Sequence, residues 1–352
     1  MNRLTFNNII KITPLFVLAL VVVQGVVPQS ASAKQTIHHQ YMGDVTGDLK
    51  SDAITLDIRT GDWWIAPSTG GEFTSPSRWI SGFGVGTYQQ FIEDVNGDNM
   101  SDAVTYDVTT GDWWVALSTG SVFNTPSRWI NGHGVGSSNQ VMGDINGDGK
   151  SDAIVFFDRG AGWSSGKGWG SGAWWGATSD GMKFEAPGLW FSGGHGVGST
   201  NQFAADVTGD GAADAVVYSS TTGQWWVSDS NGVRFSGGPN KWIDNWGVST
   251  SPTPIPQFMS YNQAVIDVDG DGKADAIISD SPQSNNNFAA FSVGYAFSGS
   301  RRLSHQGYAS SNIFFTDVDG DGKSDEVGFD KNVGSWGVSG STWLTGFGVG
   351  TN

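Results

Sequence analysis

Six copies of one Asp-rich nine-residue phrase, a spacing near 50 residues between copies, and short β-branched and aromatic runs around each copy predict an all-β chain. A fixed period of that length matches a blade of four antiparallel strands, and a closed set of such blades is a β-propeller. The phrase reads DVTGDLKSD from Asp44, DVNGDNMSD from Asp94, DINGDGKSD from Asp144, DVTGDGAAD from Asp206, DVDGDGKAD from Asp267 and DVDGDGKSD from Asp317. The intervals are 50, 50, 62, 61 and 50 residues.

Each strand of the unit has its own signal. A short run precedes each phrase, as in Gln140-Val141-Met142 and Gln202-Phe203-Ala204. A second follows it, as in Ala53-Ile54-Thr55-Leu56, Ala103-Val104-Thr105-Tyr106 and Ala153-Ile154-Val155-Phe156. A glycine turn then leads to a run centred on a Trp pair: Trp63-Trp64, Trp113-Trp114, Trp174-Trp175 and Trp225-Trp226. The fourth run holds Arg78-Trp79-Ile80, Arg128-Trp129-Ile130, Leu189-Trp190-Phe191, Lys241-Trp242-Ile243 or Trp343-Leu344, and ends in a Gly-Val-Gly turn. No stretch sustains a helical period. Six complete units fill residues 37 to 352, so six blades is the expectation; seven is the alternative, and no seventh unit is found. Because adjacent strand residues point to opposite faces and both faces of a blade pack on neighbours, both members of each Trp pair are expected in the core.

Composition agrees and narrows the function. Among 352 residues there are 52 Gly and 17 Trp, a mix of many turns and large aromatics that suits short strands. Cys is absent, which excludes disulfides and thiolate metal sites. The net charge is −16 and the pI about 4.4, a surface that repels phosphate backbones and argues against nucleic acid as a partner.

The first 33 residues read as a signal peptide. Arg3 and Lys11 supply the positive region, Leu15 to Val27 the apolar run, and Ala31-Ser32-Ala33 the small-residue cleavage site. An uncleaved anchor is the alternative. With no Cys at the cleavage site a lipoprotein is excluded, and no second apolar segment follows to span a membrane. The expectation is a secreted, extracellular protein whose residues 34–352 form a single propeller domain.

The phrase has the chemistry of a calcium loop. Hard divalent cations take oxygen ligands, and calcium accepts six to eight. Side-chain oxygens stand at positions 1, 3, 5 and 9, position 7 offers its backbone carbonyl, and glycines permit the sharp turn. The candidate ligands are Asp44, Thr46, Asp48, Lys50 and Asp52; Asp94, Asn96, Asp98, Met100 and Asp102; Asp144, Asn146, Asp148, Lys150 and Asp152. They continue as Asp206, Thr208, Asp210, Ala212 and Asp214; Asp267, Asp269, Asp271, Lys273 and Asp275; Asp317, Asp319, Asp321, Lys323 and Asp325. An EF-hand is excluded, because position 12 holds Val155, Ile278 or Gly328 where a bidentate Glu is needed. Four loops carry three carboxylates each and the last two carry four, so the loops hold 20 of the 34 acidic residues. Such crowding is repulsive without a cation. Up to six calcium ions are expected, tightest in the fifth and sixth loops and weakest in the first, where Leu49 replaces the usual glycine.

These loops resemble those of the FG-GAP/VCBS repeat family, which includes the integrin α-chain propeller and some β-propeller lectins. The resemblance covers nearly all of residues 34–352 and implies the propeller fold and calcium on the Asp positions named above. Phe83-Gly84 and Phe347-Gly348 match half of the family's name; the Gly-Ala-Pro half is missing. The fifth unit replaces the Trp pair with Phe288-Ala289-Ala290-Phe291, and the sixth keeps only Trp336.

A ligand has two candidate locations. The Gly-rich turn after the fourth strand holds Phe83, His133, His195, Trp246 and Phe347 at equivalent positions, rings that stack on a sugar face or plug the space between blades. Insertions mark the third unit, with Gly160, Trp163, Lys167 and Trp169, and the fourth, from Trp246 to Pro256 with Pro252 and Pro254. Catalytic signatures are weak: His38 and His39 sit at a ragged start, His133 and His195 lack partners, and the few Glu (Glu72, Glu93, Glu185, Glu326) cannot be paired across a cleft. No catalytic residue is assigned. The function expected is lectin-like binding of carbohydrate or a cell-surface glycan, with an integrin-like protein-binding module and a polysaccharide-active enzyme as alternatives.

Overall fold

The computed structural model describes residues 38–87, 89–158, 172–247, 262–279, 287–303 and 312–349. The signal segment, the inserted Gly160, Trp163, Lys167 and Trp169, and Pro252, Pro254 and Pro256 lie outside the described residues.

The strands group into six four-stranded antiparallel sheets, each in simple sequential order. In blade 1 these are β1 (His38–Gly43), β2 (Asp52–Asp57), β3 (Asp62–Ala66) and β4 (Ser77–Ile80). Blade 2 runs from Gln89 to Ile130, blade 3 from Asn139 to Phe191, blade 4 from Asn201 to Ile243, blade 5 from Asn262 to Arg302 and blade 6 from Asn312 to Leu344. First strands of neighbouring blades touch from blade 1 through blade 5, and that of blade 6 touches β1, which closes the ring. The chain is a six-bladed β-propeller. His38 and His39 open β1 rather than a ragged end, and the His39 ring bonds Gln90 of blade 2 at 3.1 Å.

The second strand is the buried centre of a blade: every residue of β2 is enclosed. The first Trp of each pair then packs across to the next blade. Trp63 lies edge-on to Phe123 of blade 2 at 6.2 Å and stacks on Tyr41 at 5.6 Å. Trp113 meets Phe184, Trp174 meets Phe235, Trp225 meets Phe297 and, across the closure, Trp336 meets Phe73. Each such pair adds about 1 kcal/mol to the burial of two large rings. Blade 5 has Asn287 in this place, with Phe288 at the position of the second Trp, and its contact with blade 6 is the thinnest. Val268, Ile277 and Ala289 are its buried residues among those described, against nine or more at each other joint.

Hydrogen bonds tie the same joints on one face of the ring. The backbone N–H at loop position 8 donates to the carbonyl at position 1 of the preceding loop: Ser101 to Asp44 (2.6 Å), Ser151 to Asp94 (2.8 Å), Ala213 to Asp144 (2.6 Å), Ala274 to Asp206 (2.7 Å) and, closing the ring, Ser51 to Asp317 (2.7 Å). A serine after the third strand adds a second bond, to the carbonyl at position 2 of the preceding loop. Ser118 donates to Val45, Ser179 to Val95, Ser230 to Ile145, Ser292 to Val207 and Ser68 to Val318, at 2.5–2.6 Å. Blade 6 turns its last hairpin at Ser339 and Gly340 and brings no such serine; the hydroxyl of Ser324 bonds the Asp267 carbonyl instead.

Candidate functional site

The Asp loops join first to second strands, so all six lie on one face, together with the hairpins between third and fourth strands. Within a loop, position 1 organises the turn. Asp44 accepts N–H bonds from Gly47 (2.6 Å), Asp48 (3.2 Å) and Leu49 (2.7 Å), and Asp267 repeats this with Gly270 and Gly272. Position 9 is enclosed. Asp52 accepts from Val45 and Thr46 on one oxygen and from Ser68 on the other, which joins the loop to the β3–β4 hairpin. Burial pushes the carboxyls of Asp52, Asp102, Asp152 and Asp214 up to about 7 and that of Asp275 up to about 6, against the opposing pull of these N–H groups.

The expected convergence of positions 1, 3, 5 and 9 is met in part. Among the described residues, Asp267, Asp269 and Asp275 bring oxygens within 4.8 Å of one another, as do Asp317, Asp319 and Asp325. These are the two loops with a carboxylate at position 3. Position 5 turns elsewhere: Asp48, Asp148 and Asp271 bind the ammonium groups of Lys50, Lys150 and Lys273 at 2.8, 3.0 and 2.6 Å. A carboxylate that accepts an N–H bond keeps a second lone pair on the same oxygen, so positions 1, 3 and 9 of loops 5 and 6 fit a hard cation. At position 6, Leu49 takes φ 66° and Asn99 φ 63°, where the other loops use glycine.

The rings of the Gly-rich turn are mostly interior. Phe83, His133, His195 and Phe347 are buried, and only Trp246 is partly exposed. Their backbone carbonyls accept the indole N–H of the core tryptophans: Trp63 to Phe83, Trp113 to His133, Trp174 to His195 and Trp336 to Phe347, at 3.0–3.2 Å. The side chains reach the next blade. Nε2–H of His133 donates to the Ala153 carbonyl, that of His195 to Ala215, and the Trp246 indole to Ser300. Burial pushes both imidazoles down to about 4. Four of the five rings therefore plug the joints rather than face solvent, because a ring between two glycines can fold inward onto the core Trp.

The second Trp of each pair corrects the sequence expectation in the other direction. Trp64 and Trp114 are each 37% exposed, while Trp63, Trp113, Trp174 and Trp225 are fully enclosed. The pleat sends the second ring to the opposite face of the blade, near its outer edge, where the neighbouring blade no longer covers it. A bulge between Trp63 and Trp64 pairs Trp63 with Ile80 and Trp64 with Arg78, so that Trp79 turns inward to Phe123 while Arg78 flanks the exposed ring. Asp62, two residues before Trp64, shares its face and holds Arg78 at 3.5 Å; blade 2 repeats this with Asp112, Trp114 and Arg128 at 3.2 Å. A cleft of about 480 Å³ also opens between blades 3 and 4, lined by Leu189, Phe191, Asn231, Arg234 and Ser236 among others.

Solved structures share this architecture at low identity. A lectin of Agrocybe aegerita that recognises non-reducing terminal N-acetylglucosamine aligns over 88% of this chain and 80% of its own, with TM-score 0.56 and 17% identity. The Photorhabdus luminescens Tc holotoxin pore aligns over 95% of this chain, which spans 15% of that toxin chain, with TM-score 0.52 and 16% identity. At such identities the likeness is one of fold. No protein-family model and no curated protein matches the chain.

The Asp62–Trp64–Arg78 grouping was readable in principle. Two residues two apart in a strand share a face, and Arg78 and Arg128 each precede a Trp in matching units. What hid it was the bulge, which sets the register of the fourth strand and leaves no mark in composition.

Proposed function

We propose that this chain is a secreted, calcium-stabilised propeller of the FG-GAP/VCBS type whose function is to bind carbohydrate. The observation that carries this reading is the exposed Trp64 and Trp114 at one register on adjacent blades, large flat rings that the core does not use. Aromatic faces with a few polar groups beside them suit the apolar face and hydroxyls of a sugar. The Agrocybe aegerita lectin makes N-acetylglucosamine the first sugar to try.

Calcium has a supporting part in this reading. Bound at positions 1, 3 and 9, it would supply charge neutralisation where acidic groups crowd. The chain's own residues do the rest: the position-1 Asp shapes each loop, and the position-9 Asp ties it to the hairpin behind. Because Trp64 sits in the middle of β3 and is not itself a loop ligand, metal acts on sugar binding through the stability of the blades.

A glycan array probed with the full chain, with and without chelator, tests the proposal. Binding to a defined set of glycans supports it; absence of any glycan signal from folded protein contradicts it.

A second reading has one observation in its favour. Met182, Val233 and Tyr295 stand 75–79% exposed at the hairpin tips of blades 3, 4 and 5, on the loop face. Three apolar tips in successive blades suit a protein partner, and a partner captured by wild-type chain but lost on their replacement by Ser would favour that reading.

A further inference from the structure

We infer that blades 1 and 2 carry two equivalent monosaccharide sites, Asp62–Trp64–Arg78 and Asp112–Trp114–Arg128, each taking a neutral pyranose through its C–H face and two neighbouring hydroxyls. The inference rests on the carbohydrate reading and names the residues and the sugar class.

None of the three side chains is explained by stability. Trp64 and Trp114 leave apolar surface in water, which a fold does not gain from. Arg78 and Arg128 are 52% and 50% exposed, so their ion pairs with Asp62 and Asp112 contribute little. Asp62 Oδ1 is enclosed and accepts no hydrogen bond among the described residues, a cost to the fold.

Together the three groups make a complete sugar contact. The ring offers a flat apolar platform. The carboxylate, 18% exposed at Asp62 and 17% at Asp112, accepts from one hydroxyl through its outer oxygen Oδ2. The guanidinium, with N–H groups beyond those facing Asp62, donates to its neighbour. The ion-paired carboxylate and guanidinium carry no net charge to attract an acidic sugar, so the class is neutral.

The other blades lack the set. Blade 3 has Ala173 and Leu189 around Trp175. In blade 4 the Trp226 indole donates to Gln224 at 3.4 Å, and Lys241 is drawn to Asp244 at 2.5 Å. Blade 5 has the half-buried Phe288 opposite Arg302 in the Trp position, but Asn286 stands in the sequence where Asp62 does in blade 1, and blade 6 has Gly337 in place of the ring. The expected stoichiometry is therefore two.

The test is calorimetric titration of the full chain with N-acetylglucosamine and the methyl glycosides of glucose, galactose, mannose and fucose. At least one of these binds at two equivalent sites; Trp64→Ala leaves one, and Trp64→Ala/Trp114→Ala weakens binding at least tenfold with an unchanged melting temperature. Asp62→Asn/Asp112→Asn and Arg78→Ala/Arg128→Ala, which leave the rings in place, weaken it as well. A bound sugar whose affinity stays within twofold in the Trp double variant and in these two variants overturns the assignment while sparing the carbohydrate reading. Absence of binding by every sugar here and by every glycan on the array overturns both.

Discussion

The hydroxyl of Ser68 in blade 1 donates to the carbonyl of Val318 in the Asp loop of blade 6, 250 residues away, at 2.6 Å. The same bond joins every other pair of blades except the fifth and sixth, so the loops are clasps between blades as much as turns within them. The hydroxyl also accepts the N–H of the residue two along, as Ser118 does from Gly120. Ser118→Ala leaves a buried carbonyl and an N–H without partners and is expected to cost about 2 kcal/mol in urea unfolding. Ser68→Ala should cost as much and should also open the seam between blades 6 and 1. Equal stability of wild type and both variants would show that the clasps are idle.

The joint between blades 5 and 6 has neither a serine clasp nor a core Trp, and its buried cluster among the described residues is small. Native-state hydrogen exchange should find its earliest sub-global opening there, with amides of Ile277 and Ala289 exchanging before those of Ile54 and Val104. Uniform protection of all six second strands would contradict this.

Acid should act through His133 and His195. Their ordinary value is 6.5 and burial lowers it to about 4, so the neutral ring is the form the fold favours. Stability from each is full above pH 6.5 and is lost as pH falls through 4. The equivalent positions in blades 1 and 6 hold Phe, which makes His133→Phe/His195→Phe a tolerable change. Measured at one fixed calcium level, the variant should resist acid better than wild type by up to about 3 kcal/mol per ring at pH 4. Parallel stability curves would refute the assignment.

Leu49 holds a left-handed φ of 66° and is 73% exposed. Leu49→Gly removes backbone strain and forfeits no packing, so thermal unfolding should show a gain of about 1 kcal/mol. Leu49→Ala, which keeps the Cβ, should gain nothing.

The architecture was legible because each unit repeats its signals: a β-branched second strand, a Trp pair, a Gly turn and an Asp phrase at constant spacing. The site was less so. Counting strand parity places Trp63 and Trp64 on opposite faces, yet whether the outer face is covered depends on how far the neighbouring blade extends, which no local pattern records. The fate of His133 was hidden for a related reason: its partner is the Ala153 carbonyl in the next blade, 20 residues on. The crowding of Asp267, Asp269 and Asp275 was plain in sequence, whereas the capture of Asp271 by Lys273 was not, since a position-7 lysine reads equally well as a solvated side chain.

The measurement that bears most directly on this account is calorimetric titration of chelator-treated protein with calcium, followed by thermal unfolding of the loaded and metal-free forms. Four to six ions should bind, loops 5 and 6 first, and the melting temperature should rise as they do. Binding of fewer than four ions, or loading that leaves the melting temperature unchanged, would contradict it.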